Sequence, residues 1–441
     1  MKKRIALLLC LAMVWMLAAC SMADKLQKVE LPPLPEVNEE EETPVPTLTP
    51  ETPEPSETPE PVQPLVDDLQ EHRVTVNFDT TSYECYDPPS GLQRILTFSY
   101  VTPKIRIVGR PEAAERINEF LARMDETYYT GNDYGDGPAT GFNGMLEIAE
   151  DNYAYAVTMK DRSLPLEFSA SRTAKVGRID DRVIDIILSS YEYTGGAHGM
   201  SVDRAYVFDC ESGERLQLDQ LAEDPEAFRD LLLQMMLQAV KENPEYYAEH
   251  ISDEMVAPDS YETAFAALLR EGAWYFSNEG LVLFSDLYEL APYAAGVTEF
   301  VIPYERLQGV MLDKYLPGER DGAGEFRVIP MEQVLEGSLE LLDKITDKEG
   351  VELCLLAEGT VYDVYLSNVF YTDRFYEHQQ LWCSSFMSDS ALQIVTTIPE
   401  GIPDLMIRYT TADGQQVRKL LTQSGLDGSY QLTDDQIQVL G

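Results

Sequence analysis

Histidine, cysteine and carboxylate side chains are the groups in this 441-residue chain able to act as ligands, nucleophiles or bases. The four histidines are His72, His198, His250 and His378, and no two lie near each other in sequence. A helical zinc site needs paired histidines at close spacing, so metallohydrolase chemistry has no ligand set to work with. The loop carrying Asp133 and Asp136 lacks the ligand spacing and closing glutamate of a calcium-binding EF-hand. No Gly-x-Ser-x-Gly elbow, phosphate-binding P-loop or clean Gly-x-Gly-x-x-Gly turn occurs. Carboxylate pairs of the glycosidase kind carry no signal in a chain with 77 acids. No residue is therefore assigned a catalytic role, and no metal or cofactor is expected.

Two stretches have content beyond periodicity. Ser190-Tyr191-Glu192-Tyr193-Thr194-Gly195-Gly196-Ala197-His198-Gly199 runs straight into a strand expected over 202–208. Trp274-Tyr275-Phe276 and a strand over 281–284 lead to Tyr288-Glu289-Leu290-Ala291-Pro292-Tyr293-Ala294-Ala295-Gly296. Gly195, Gly196 and Gly199 permit positive φ, so the first stretch bends tightly and presents the His198 ring to a neighbour. Pro292 and Gly296 frame Tyr293 on a short return. The candidate binding residues are Tyr193, His198, Tyr288 and Tyr293. Against this stands a plainer reading, in which His198 only braces its turn and Trp274, Phe276, Phe284, Tyr288 and Tyr293 are core.

Cys20 is a reactive group of another kind. It follows Lys2, Lys3 and Arg4, an uncharged apolar run over 5–19, and the small residues Ala18 and Ala19. That order marks a secretory signal, and the run is shorter than the ~20 residues a membrane-spanning helix needs. Its end, Leu17-Ala18-Ala19-Cys20, resembles the bacterial lipoprotein lipobox. The resemblance implies cleavage after Ala19, a lipid such as palmitate on Cys20, and residence on the extracytoplasmic face of the cell membrane. Of the other cysteines, Cys10 is in the signal, while Cys85, Cys210, Cys354 and Cys383 allow three pairings. Cys85–Cys210 and Cys354–Cys383 are the possible disulfides if the compartment is oxidising; buried free thiols are the alternative.

Residues 20–70 read as a tether. It is rich in proline, and Val29 to Gln70 hold acids without a single Lys or Arg. Such sequence cannot bury enough apolar surface to offset its ordering entropy. The whole chain has a formal net charge of −44, which repels nucleic acid and attracts basic proteins. Alternating β-branched and aromatic residues predict strands over 73–78, 81–86, 92–101, 166–176, 182–193, 202–208, 273–277, 281–284 and 297–302. Helices are predicted after Pro111, with Ala114, Ile117, Leu121 and Met124 on one face, near 144–149, after Asp224-Pro225, and over 261–269. Beyond 317 short strands dominate, with a tight turn at Asp413-Gly414. The fold class expected is α+β: a mixed sheet with helices, followed by a small all-β, sandwich-like C-terminal domain. The expected units are 1–19, 20–70, 71–178, 179–316 and 317–441.

The His-containing glycine turn and the Ala-Pro-Tyr-Ala-Ala-Gly return together resemble the extracytoplasmic domain shared by the lysozyme-sensing anti-sigma factor RsiV and the peptidoglycan deacetylase PdaC. The resemblance covers roughly 73–315. It implies a sensor or binding domain whose partner is a basic muramidase such as lysozyme, or peptidoglycan. A lipobox replaces the transmembrane helix of the anti-sigma factor, and the deacetylase's histidine pair is missing, so neither activity carries over. The expected function is a non-catalytic envelope lipoprotein that binds or senses an extracellular protein or wall component. A peptidoglycan-modifying hydrolase and a purely structural lipoprotein are the alternatives.

Overall fold

A computed structural model describes residues 73–131, 141–160, 165–320, 322–330, 340–346, 351–371, 375–386, 390–396, 405–423 and 430–434. The expected signal, Cys20, the tether and His72 lie outside these residues.

β1 (Val74–Tyr86) and β2 (Arg94–Ile107) form a long hairpin, in register from Val74↔Ile107 to Cys85↔Leu96. Alternation along them puts Val74, Val76, Ile105 and Ile107 on one buried face. Helix α1 (Pro111–Thr130) begins with proline, which has no N–H to leave unsatisfied, and buries Ala114, Ile117 and Leu121 against that face. Helix α2 (Gly141–Met159) packs Met145 and Ala149 beside Ile95, Phe98 and Phe168. β3 (Phe168–Ile179) runs parallel to β2, and β4 (Val183–Tyr193) and β5 (Met200–Asp209) follow antiparallel.

The opposite face of β4 and β5 is covered by a second layer. It contains α3 (Pro225–Glu242), α4 (Pro244–His250), α5 (Tyr261–Leu268) and a three-stranded sheet, β6 (Trp274–Phe276), β7 (Gly280–Phe284) and β8 (Glu299–Pro303), with α6 (Tyr304–Leu307) after it. Asp224 caps α3 by accepting from the Ala227 N–H at 3.1 Å. Phe228, Leu232 and Met236 of α3, four apart, meet Trp274, Phe276, Leu283 and Phe300 in one core with Val183 and Val207. These rings thus follow the core reading.

The C-terminal strands are β9 (Glu325–Pro330), β10 (Glu340–Thr346), β11 (Val351–Glu358), β12 (Val361–Tyr371), β13 (Phe375–Phe386), β14 (Ser390–Thr396), β15 (Leu405–Thr410), β16 (Gln416–Gln423) and β17 (Tyr430–Asp434). A four-stranded sheet, β10-β14-β11-β9, packs on β12, β13, β15 and β16 through Phe326, Leu355, Val364, Leu381 and Leu421. The fold is α+β, with a large mixed sheet, six helices and smaller sheets among the described residues. The sheet does not stop at the expected domain boundaries. Residue 178 falls inside β3, and β13 pairs with β1 at Thr75↔Cys383, giving one ten-stranded sheet, β17-β16-β15-β12-β13-β1-β2-β3-β4-β5. At Thr75–Asn77 the outer edge of β1 would otherwise expose unpaired backbone groups, and β13 covers that part of it.

Neither expected disulfide forms, for all four thiols are free. Cys85 is on β1 and Cys210 follows β5, four strands away in the sheet. At ~4.8 Å per strand that is about 19 Å, far beyond disulfide reach. Cys354 and Cys383 lie on facing sheets, but Leu353 and Leu355 fill the space between, so alternation turns Cys354 to the other side of its sheet.

Candidate functional site

The glycine turn joins β4 to β5 at the end of the large sheet. Gly195 and Gly196 both have φ of 101°, a region only glycine enters freely. Gly199 differs from expectation, because close approach rather than positive φ requires it. A Cβ there would lie 2.4 Å from Tyr191 Cζ and 2.5 Å from the Glu192 carbonyl. The Tyr193 hydroxyl donates to the Gly196 carbonyl at 3.2 Å. Tyr193 therefore staples the turn and stands outside the ring cluster described next.

His198 leaves this turn exposed and lies flat on Tyr293, with ring centroids 3.7 Å apart and planes 16° from parallel. Tyr288 completes the group at 5.8 Å from Tyr293 and 6.5 Å from His198. His198 Nδ1 is 2.9 Å from the Gly199 carbonyl, which can only accept, so Nδ1 carries the proton. Nε2 is then the acceptor for the Tyr288 hydroxyl at 3.3 Å. The ring both braces the turn and bridges two segments. Three of the four candidate residues are thus brought together, and Tyr288 remains 44% exposed.

A charged clamp holds the segment that presents the two tyrosines. Arg270 grips Glu289 with two bonds of 2.8 Å and reaches Asp286 at 3.0 Å. Arg204 on β5 donates to Asp286 at 2.7 Å, and Glu289 accepts the Asp286 N–H at 2.7 Å. Such forked guanidinium–carboxylate contacts fix direction as well as distance. Between them Tyr288 sits at φ 64°, a costly conformation for a tyrosine that persists because its neighbours are pinned. Below, Ser285 and Thr298 are buried and exchange two bonds of 3.0 Å, closing the base of the loop. Pro292 starts a single turn at Tyr293–Ala295, and Gly296 ends it at φ 75°.

Beside the rings is a cavity of about 290 Å³ lined by Ser201, Asp203, Asp286, Leu287, Tyr293 and Val297. Sequence reasoning missed Asp203, Arg204, Arg270, Asp286 and Glu289. Only the Asp-x-x-Glu spacing of Asp286 and Glu289 hinted at a local cap. His250 stacks on Tyr246 with ring centroids 4.3 Å apart, and its carbonyl accepts from the Thr298 hydroxyl at the base of this loop. Among the described residues no group of three or more His, Cys, Asp or Glu is placed to hold a metal ion. No helix there is long and apolar enough to cross a membrane.

Residues 221–305 match the DUF3298 family, described as proteins of unknown function. The stretch spans α3 to β8 and contains Tyr288 and Tyr293, while His198 lies before it. Two solved structures of DUF3298 proteins are similar to the chain. One, from Pseudomonas aeruginosa PAO1, is 21% identical over 55% of this chain and 97% of its own, with a TM-score of 0.36. The other, from Bacteroides fragilis NCTC 9343, is 19% identical over 54% of this chain and 94% of its own, with a TM-score of 0.38. No curated protein matches the chain.

Proposed function

We propose that this chain is a non-catalytic lipoprotein of the bacterial cell envelope, anchored by lipid on Cys20 at the extracytoplasmic face, whose folded part binds or senses a protein or wall component. The observation that carries the reading is the cluster of exposed His198 and Tyr288 with half-buried Tyr293, held by the Arg204 and Arg270 clamp beside a cavity. Exposed aromatic side chains on a pinned loop supply contact area at little entropic cost, which suits recognition. Tyr288 and Tyr293 lie in the stretch that matches the DUF3298 family of unknown function, and the resemblance to the RsiV and PdaC extracytoplasmic domain suggests the partner class. A basic muramidase such as lysozyme would be drawn to a chain of net charge −44. His198 supports binding over turnover, because Nδ1 is engaged by the Gly199 carbonyl of its own turn and Nε2 by the Tyr288 hydroxyl.

Titrating the chain with lysozyme and with soluble peptidoglycan fragments, at low and high salt, tests this. Saturable binding of either supports the reading, and salt-weakened binding identifies the basic protein. Release of sugar or acetate from peptidoglycan by the purified chain would overturn it.

A further inference from the structure

The upper edge of β5, next to the ring cluster, is an open strand edge. In β5 the Ala205 N–H donates outward to the Gly272 carbonyl at 2.9 Å, and the Val207 carbonyl accepts from Leu216 at 2.7 Å. Alternation along an antiparallel strand then turns Ser201 and Asp203 away from β4 as well. Gly272 and Leu216 close the lower part of this edge, and no described residue hydrogen-bonds the edge above them except the Arg204 side chain. Among the described residues no hydrogen bond uses the Ser201 N–H, the Ser201 carbonyl or the Asp203 N–H. The Asp203 carbonyl accepts from Arg204 at 2.7 Å, its one partner among the described residues. Ser201 and Asp203 also line the 290 Å³ cavity, whose far wall is the clamped loop from Ser285 to Val297.

Charge sets the second requirement. Asp203, Asp286 and Glu289 face two guanidinium groups, Arg204 and Arg270, and both of these are spent on Asp286 and Glu289. The Asp203 carboxylate has no basic partner among the described residues.

We infer that the Ser201–Asp203 edge of β5 takes an extended peptide segment as an added strand, with a Lys or Arg side chain of that segment on Asp203. Alternating N–H and C=O groups along an edge are the recognition pattern of strand addition, and the unpaired acid gives it a side-chain preference. The inference names the partner class for the site proposed above and rests on that reading.

The test uses a labelled nine-residue peptide of Thr, Ser and Val with one central Lys. Companion peptides carry Glu at that position or N-methyl groups on alternate backbone nitrogens. Anisotropy titrations on the full chain should give saturable binding of the Lys peptide, with both companions weaker by about tenfold or more. Asp203→Asn should weaken the Lys peptide by about tenfold. Ser201→Pro removes an outward N–H and leaves the β4 ladder whole, so it should abolish binding while the melting curve stays intact. If that variant unfolds, the N-methylated peptide makes the same test on the unaltered chain. Absence of Lys-peptide binding, equal binding of the N-methylated peptide, or retained binding by folded Ser201→Pro overturns the inference. Capture of lysozyme or wall fragments that Tyr288→Ala loses and Ser201→Pro keeps would remove the strand edge and leave the ring site standing. Peptide binding without such capture would remove the ring reading alone.

Discussion

The ring of His198 lies on the ring of Tyr293 at 3.7 Å, joining the β4–β5 turn to the loop between β7 and β8. Stacked pairs of this kind contribute about 0.5–1.5 kcal/mol beyond their buried area. Tyr293→Ala is therefore expected to lower the unfolding free energy by at least about that amount in a urea titration. Tyr293→Phe should behave as the parent. A Tyr293→Ala curve superposed on the parent would show that the two segments are held without the stack.

Two glycines of the same turn should fail for different reasons. Gly199→Ala pushes a methyl into Tyr191 and the Glu192 carbonyl, an overpacking expected to cost about 1–3 kcal/mol. Gly196 has open space around it but φ of 101°, so Gly196→Ala meets only backbone strain, about 1–2 kcal/mol. Trimming Tyr191 to Ala should rescue the first variant and leave the second unchanged. Rescue of both, or of neither, would contradict the distinction.

Asp185 is an acid at the centre of the second-layer core. Its side chain is fully buried, accepts the Phe276 N–H at 2.5 Å, and leaves Oδ1 without a partner among the described residues. Burial raises its pKa well above the ordinary 3.8, with Arg178 opposing the shift and Asp180 adding to it. The native state thus keeps a proton that the unfolded chain releases. The stability this provides is complete below 3.8 and is lost as pH rises through the folded value. Asp185→Asn keeps the acceptor and cannot ionise. Its advantage over the parent in urea midpoint should grow from about pH 4 towards neutrality. A difference that does not change with pH would contradict this assignment.

The thiols should resist labelling in the native protein. Burial pushes Cys210 up to about 12 and Cys354 to about 11, so little thiolate is available to react. Iodoacetamide labelling followed by mass analysis should modify Cys210, Cys354 and Cys383 only after denaturation, with no reductant added. A requirement for reductant would reveal a disulfide that the free thiols exclude.

Local order was legible where periodicity and punctuation carry it. Ala114, Ile117 and Leu121 announced the face of α1, Asp224-Pro225 its capped successor, and the glycines around His198 their turn. Distance defeats that kind of reading. Nothing near Thr75 signals Cys383, so the pairing that merges the C-terminal strands into the large sheet had no sequence mark. The clamp of Arg204 and Arg270 on Asp286 and Glu289 is equally silent, since charges far apart in sequence have no spacing. Asp185 was legible in hindsight, as a lone acid in the run Val183-Ile184-Asp185-Ile186. His198 and Tyr293 were each visible, and their contact was not.

The proposed recognition site is the cluster of His198, Tyr288 and Tyr293, and Tyr288 is the more exposed of its two tyrosines, at 44%. Calorimetric titration of lysozyme and of soluble peptidoglycan fragments into the parent chain and Tyr288→Ala asks the question directly. The expected result is saturable binding of at least one probe to the parent, weakened about tenfold or more in the variant with an unchanged melting temperature. Binding of neither probe, or equal affinity in parent and variant, would contradict a recognition site built on His198, Tyr288 and Tyr293.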